Sequence, residues 1–596
     1  MKLQFSNLNG IYKINVNSFQ PIIKFNFKAK KANQLKTNKV KINGQKITIN
    51  ENKDGLEINK KLGINEHIIG LGEKAFEIER RRTKLIMWNT DAYSYHKYTD
   101  PLYVSIPFFI AIDGNKKIGM FVNYTGKLTF DIGVERYDEI KIKVPDSAVE
   151  IFIITGNDIK EIIKRFVKLT GKPFKIPDWA LGHSISRYSY FPQNKVIEIL
   201  KDYKRYTDVD ALYLDIDYMY RYKIFEWDKK YFPDPKKMID EIHRLGSKVV
   251  TIIDPAISLD QKDEIFKKGL GNYCETKNGG IYTAEMWAGN CVFPDFMNKK
   301  VRYWWKSLIN KWVGDYGIDG IWLDMNEPAA FTPSKTFENA IHTLDNKEKI
   351  AHDKVHNAYA YFQAMATKAA IKDGFILSRA GYAGIQKYAA IWSGDSVSSW
   401  EDMKLQIPLL LGLSISGVPY VGCDIGGFVG RSDPDLLSAY YKMTIFFPIF
   451  RNHKDKLGND QEIYTLDEKH RKEIKKAIEV RYLFMNYIKK LADDAHRYGN
   501  PIIRPLLYEF EDDENVYTIN DEYLLGDKIL YAPILEKNTH ERSVYLPSDR
   551  WMEFGTKREF KGPCYVTSNQ DMPIFIRRGT NITLTDGKRI RYLLKS

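Results

Sequence analysis

In 320–331 (GIWLDMNEPAAF) an apolar run ends abruptly at Asp324, with Glu327 and a proline close behind. A carboxylate at the end of a buried strand, where the chain turns into a loop, is held rigidly at a surface that a substrate can reach. A second apolar run, in 389–403 (AAIWSGDSVSSWEDM), stops at Asp395. Two such groups can divide the work of breaking an acetal, one ionised and attacking, the other protonated and donating to the leaving oxygen. A lone strand-end Asp is more often a helix N-cap or a loop hydrogen bond. Here the pattern occurs twice, each time beside a tryptophan (Trp322, Trp392), which weighs against that blander reading.

The elements that would position these groups follow from periodicity. After Pro177 short apolar runs near 180, 211, 248, 320, 375, 389, 419 and 446 alternate with amphipathic stretches such as NKVIEILKDYKRY and KKMIDEIHRLG. Eight parallel strands joined by helices close into a barrel whose chemistry lies at the strands' carboxyl ends. Those ends carry Asp215 and Asp217, Asp254, Asp324, Arg379, Asp395, Asp424, and Arg451 with His453. Like charges crowded on one face repel, a poor choice for a chain seeking only stability. Excursions near 258–298 and 330–350 interrupt the cycle and read as insertions walling the pocket, and a single long helical stretch follows the last strand.

Residues 1–175 read as short alternating strands with hardly any helix-period segment, a β-sandwich. A long polar and aromatic stretch, 88–108, breaks its rhythm and is expected to reach over a site on the next domain. Strand and turn signals return in 499–596. The expected class is therefore α/β: a (β/α)8 TIM barrel over 176–498, an N-terminal β-sandwich and a small C-terminal β-domain.

At 596 residues the chain exceeds one core, and 44% hydrophobic content is ample for several. The net charge of +14 raises nucleic acid, with basic clusters at 28–31 and 80–82. Yet 90 Lys and Arg lie scattered among 76 acids with no basic tail, so solvated surface is the better reading and no nucleic acid is expected. The N-terminus lacks a signal-peptide core and no apolar run approaches a membrane span, which points to a cytoplasmic chain without membrane contact. Four cysteines, Cys274, Cys291, Cys423 and Cys564, are too scattered for a disulfide framework or a CxxC-type metal site. Free thiols are expected, with a Cys274–Cys291 pair inside one loop as the alternative.

Together GLGE, WNTD, PDWALGHSIS, YLDIDYM, DPAIS, WLDMNEP, SRAGYAG, WSGDSVSSW, GCDIGGF, FRNH, AHRYGNPIIRPL and LYAPILE, in this order, resemble glycoside hydrolase family 31 of the α-glucosidase type along most of the chain. The resemblance implies Asp324 as nucleophile and Asp395 as acid/base. It implies a sugar subsite in which Asp215 accepts from sugar hydroxyls and His453 and Arg379 donate or bridge. Trp287, Trp322, Trp392, Phe428 and Met325 would form its walls, with Ile257, Asp424 and Asp91 as weaker members. Asp217 reads as structural. The chain departs from the family at Tyr188, where relatives often carry Trp, and its C-terminal region is shorter. WLDMNE favours glucosidases over xyloside- or sulfosugar-acting relatives with a DFGE type of sequence.

The expected activity is that of a retaining exo-α-glucosidase. It would release terminal glucose from maltose or malto-oligosaccharides through a covalent glycosyl-enzyme, without cofactor or metal. An α-xylosidase or other α-glycosidase of the same fold, or a transglycosylase, stays open. Outside that class stand a carbohydrate-binding non-enzyme and a metal-dependent glycosyltransferase, the latter suggested only by the DxD of Asp215–Asp217. An oligosaccharide is the expected partner, and self-association is left open.

Overall fold

The computed structural model describes residues 1–29, 32–556 and 558–585, and the backbone of 589–591. At the N-terminus a seven-stranded and a six-stranded antiparallel sheet face each other. Strands such as Gly55–Lys61 alternate, turning Leu56, Ile58 and Lys60 inward and their neighbours outward, as a sheet with one buried face requires. One element departs from the sequence reading: a helix, Ile159–Thr170, capped by Asp158. Its buried Ile159, Ile162, Ile163, Phe166 and Val167 recur every three or four residues, a short signal among strand patterns. Phe166 stacks on Phe108 at 3.8 Å and fastens the helix to the sandwich. Burying each such side chain contributes about 1.5–3 kcal/mol.

Only part of the arginine cluster at 80–82 is a solvated face: Arg82 is exposed, Arg81 half-buried and Arg80 buried. Arg80 is buried and donates to the Gly70 carbonyl, while Arg81 and Arg82 donate to Gly63, Glu66 and Gly133 carbonyls. Loop carbonyls without strand partners need such donors once water is excluded. Lys30 and Lys31 of the other cluster lie outside the described residues.

The barrel is parallel and closed. Its strands are His183–Ile185, Ala211–Leu214, Lys248–Ile253, Gly320–Leu323, Phe375–Ser378, Ala390–Trp392, a seventh in two pieces, and Phe450–Asn452. Val421–Gly422 pairs with the sixth strand, and Asp424–Ile425 with the eighth, which pairs back to the first. Gly422 is required at that seam, because a Cβ there would meet the Ile449 carbonyl oxygen at 2.3 Å. Helices such as Gln193–Lys204, Lys299–Tyr316 and Trp400–Ile415 cover the outside.

Both excursions form small walls: a three-stranded sheet of Ile257–Ser258, Thr283–Met286 and Gly289–Val292, and the hairpin of Ile341–Thr343 with Lys349–Ala351. The helical stretch after the barrel is two helices, Glu468–Leu483 and Met485–Tyr498, broken at Phe484. Beyond it a six-stranded sheet and a paired ribbon form the C-terminal β-domain. Among the described residues all four cysteines are free, so Cys274 and Cys291 do not pair, and no helix is long and apolar enough to cross a membrane.

Candidate active site

Strand register assembles the site. Ile253 lies opposite Leu323, and Leu323 opposite Ser378, so the residues that follow, Asp254, Asp324 and Arg379, emerge side by side at the carboxyl edge. The Arg379 N–H donates to the Leu323 carbonyl at 3.0 Å, locking that row. Met325 then takes a left-handed conformation (φ 52°), which costs of order 1–3 kcal/mol in a non-glycine residue and is typical of functional turns. The turn folds Asn326 and Glu327 back beneath Asp324, where the Asn326 amide donates to Gln363 and Ser378 and its oxygen accepts from the Ala380 N–H.

One guanidinium joins the acids. Arg379, 3% exposed, contacts Asp324 at 3.1 Å through Nε and Asp395 at 3.2 Å through Nη1. Glu327 takes Nε and Nη2 as a fork at 2.9 and 3.0 Å, the Met325 sulfur accepts from Nη2 at 3.0 Å, and Asp91 stands at 3.6 Å. Since the guanidinium is small and rigid, the contacting oxygens of Asp324 and Asp395 lie within roughly 9 Å of each other. The two carboxyls the sequence pointed to share one guanidinium.

Burial raises both carboxyls. Asp395 stands well above the ordinary range, because the charges of Asp324 and Asp91 add to burial and Arg379 offsets them only in part. Asp324 is raised less decisively: burial is opposed by Arg379, by the Met325 N–H and by Arg451. The environment therefore favours the proton on Asp395 and the charge on Asp324. For Arg379 burial works against the charge, but the surrounding carboxylates outweigh it and keep it charged.

The floor is laid by the other strand ends. Asp215 Oδ1 accepts from the Ile216 N–H and Oδ2 stands 3.6 Å from His453 Nε2. Burial, Arg451 and Lys454 hold His453 well below its ordinary value, so its ring is neutral. Phe428 stacks on that ring at 5.0 Å, and Trp322 meets it edge-on at 5.1 Å. Beneath, the Arg451 guanidinium lies 4.6 Å from the Trp322 ring and 5.3 Å from that of Trp392, and pairs with Asp424. Asp424 thus supports the floor through Arg451; burial raises its carboxyl to about 6 against the pull of that arginine.

Around this floor sit buried polar atoms with no hydrogen-bond partner among the described residues: Asp254 Oδ1, Trp322 Nε1, Trp392 Nε1 and His453 Nδ1. Leaving such groups unpaired costs about 1–3 kcal/mol each. Donors and acceptors interleaved over one apolar-walled floor suit a polyol, whose hydroxyls both give and accept.

Ile257 is buried in the first insertion's sheet. Trp287 is at the rim, 40% exposed and edge-on to Phe331 at 4.9 Å. Asp217 faces Lys456 at 3.4 Å. The stretch 88–108 does reach the barrel: the Ser94 N–H donates to the Asp395 carbonyl, and Val104–Ser105 pairs with Gly381–Tyr382. Sequence reasoning missed Tyr103 in that stretch. Its hydroxyl accepts from the Asp395 N–H at 3.2 Å and its ring lies 5.1 Å from the Arg379 guanidinium. It named Glu327 and Asp254, the latter among the strand ends, but gave neither a role.

Comparison with known proteins agrees with this architecture. The glycosyl hydrolases family 31 TIM-barrel domain matches residues 173–491, its C-terminal domain 499–582, and its N-terminal galactose mutarotase-like domain 3–131. An alpha-glucosidase of Saccharolobus solfataricus is 43% identical, covering 98% of this chain and 88% of that one. Alpha-glucosidase 2 of Bacillus thermoamyloliquefaciens is 37% identical over 88% of this chain and 68% of its own. The structure of a Flavobacterium johnsoniae GH31 dextranase complexed with isomaltotriose superposes with a TM-score of 0.90 at 28% identity, covering all of this chain and 80% of that one. Fold and matches together define the class, a glycoside hydrolase. The chain belongs to glycoside hydrolase family 31.

Proposed function

We propose that this chain is a retaining exo-α-glucosidase that releases glucose from the non-reducing ends of maltose-type substrates. Asp324 attacks the anomeric carbon while Asp395 protonates the glycosidic oxygen; Asp395 then takes a proton from the water that breaks the covalent ester. Asp215 and His453 orient the terminal sugar's hydroxyls. The observation that carries the reading is the convergence of Asp324 and Asp395 on the single Arg379 guanidinium over a floor of unpaired polar atoms. The named α-glucosidase relatives favour glucose as the sugar released.

The dextranase neighbour supports a second reading of linkage, α-1,6 rather than α-1,4. A panel of maltose, isomaltose, nigerose and xylose-ended disaccharides, assayed by product release, decides between them. In Asp324→Ala turnover should vanish, and added azide should return part of it as the β-glycosyl azide. Near-normal turnover of that variant would remove the nucleophile from the scheme.

A further inference from the structure

Asp324 and Asp395 are held in place by different parts of the molecule. Asp324 follows its strand, Gly320–Leu323, directly, and the turn behind it is locked by barrel partners, with the Asn326 amide on Gln363 and Ser378. Asp395 lies beyond the end of its strand, Ala390–Trp392, past Ser393 and past Gly394, whose φ is 67°. Its backbone is gripped from outside the barrel. The Asp395 N–H donates to the Tyr103 hydroxyl at 3.2 Å, and the Asp395 carbonyl accepts from the Ser94 N–H at 3.1 Å. Both partners belong to the N-terminal domain.

Tyr103 supplies more than an acceptor. It is fully buried, its ring lies 5.1 Å from the Arg379 guanidinium, and it fills the space over Gly394, where a Cβ would run into that ring. The residue after it is fixed twice over. The Val104 N–H donates to the Glu73 carboxylate at 2.8 Å, and Val104–Ser105 pairs in parallel with Gly381–Tyr382. Ser94 keeps a left-handed φ of 58°, which persists in a non-glycine residue only where the surroundings over-determine it. Between them, Tyr95 hydrogen-bonds to Gln406, whose side-chain oxygen accepts from the Ser393 hydroxyl at 2.6 Å. Ser393, Gly394 and Asp395 are thus each tied, directly or through Gln406, to the segment 94–103.

We propose, on the reading of Asp395 as the general acid, that Tyr103 is its positioning residue, through which the N-terminal domain sets where that carboxyl stands against the glycosidic oxygen. Proton transfer needs hydrogen-bond reach, about 2.6–3.2 Å, and a misplacement of about 1 Å can cost about a hundredfold. The nucleophile, held by the barrel, keeps its place when this clamp is loosened. Loosening therefore tells on leaving groups that need a proton and spares those that do not.

In Tyr103→Phe the ring stays over Gly394 and beside Arg379, and only the acceptor for the Asp395 N–H is lost. The kcat/KM for the disaccharide hydrolysed fastest should fall about 10–100-fold, and that for a dinitrophenyl α-glucoside should stay within about twofold of wild type. A residue that merely stabilised the fold would lower both together, with the folded fraction. Asp395→Ala, measured beside it, separates two failures. If Asp395→Ala discriminates between the leaving groups while the ratio of the two kcat/KM values rises less than about fivefold in Tyr103→Phe, the positioning role is overturned and the acid stands. If Asp395→Ala loses both substrates alike, the acid assignment falls and the positioning role with it. Should Tyr103→Phe not fold, Gly394→Ala, which drives a methyl against the same ring from the barrel side, is read by the same ratio.

Discussion

Replacing Arg379 by Met leaves Asp324, Asp395, Asp91 and the fully buried Glu327 without the cation they share. Breaking a buried ion pair from one side costs about 3–5 kcal/mol, because the surviving charge is left uncompensated. The folded variant can escape by taking up one further proton. For a carboxyl whose ordinary pKa is about 4, holding a proton costs about 1.4 kcal/mol for each pH unit above that value, hence about 4 kcal/mol at pH 7 and about 1.4 at pH 5. The sign follows. A carboxyl raised in the folded state destabilises the protein above its unfolded value, and the cost shrinks as pH falls through the folded value. Thermal midpoints of wild type and Arg379→Met at pH 5, 6 and 7 should therefore show a deficit that falls to roughly a third between pH 7 and pH 5. Arg379→Lys should recover much of that stability and little of the activity, since an ammonium cannot fork to Glu327 while reaching both aspartates. A deficit independent of pH would refute the claim that the guanidinium compensates these acids.

Asp395→Ala should lower kcat/KM for maltose by about 10²–10⁴-fold, leave kcat/KM for a dinitrophenyl α-glucoside, whose leaving group needs no proton, nearly unchanged while its kcat falls with the loss of the base for the second step, and abolish the alkaline limb of the pH profile. A uniform loss across leaving groups would count against Asp395 as the acid. Asp215→Asn should weaken competitive inhibition by glucose and depress kcat/KM with little change in thermal midpoint; an unchanged inhibition constant would remove Asp215 from the subsite. Trp287→Ala, at the rim, should raise KM for malto-oligosaccharides by up to about tenfold, the worth of one aromatic contact, and leave nitrophenyl glucoside hydrolysis unaltered.

Some of this chemistry was legible in the amino-acid order and some was not. Where a strand ends is a local matter: an apolar run, a polar residue, a turn. Asp215, Asp324, Arg379 and Asp395 were therefore visible as strand ends, and the alternation with amphipathic stretches foretold a closed barrel around them. Of three adjacent arginines that looked like solvated surface only Arg82 is exposed; nothing local says that carbonyls will need the other two. The helix at Ile159–Thr170 was hidden by its brevity among strands.

Tertiary structure alone decided which charges share a partner. That Asp324, Asp395, Glu327 and Asp91 all meet Arg379 depends on register between strands and on a loop from another domain. The same holds for Tyr103 beneath Asp395, whose separation along the chain conceals their proximity. The physical reason is range. Hydrogen bonding and hydrophobic periodicity act between near neighbours and leave their mark in residue order. Desolvation and shared counter-charges arise only once distant segments have closed around them.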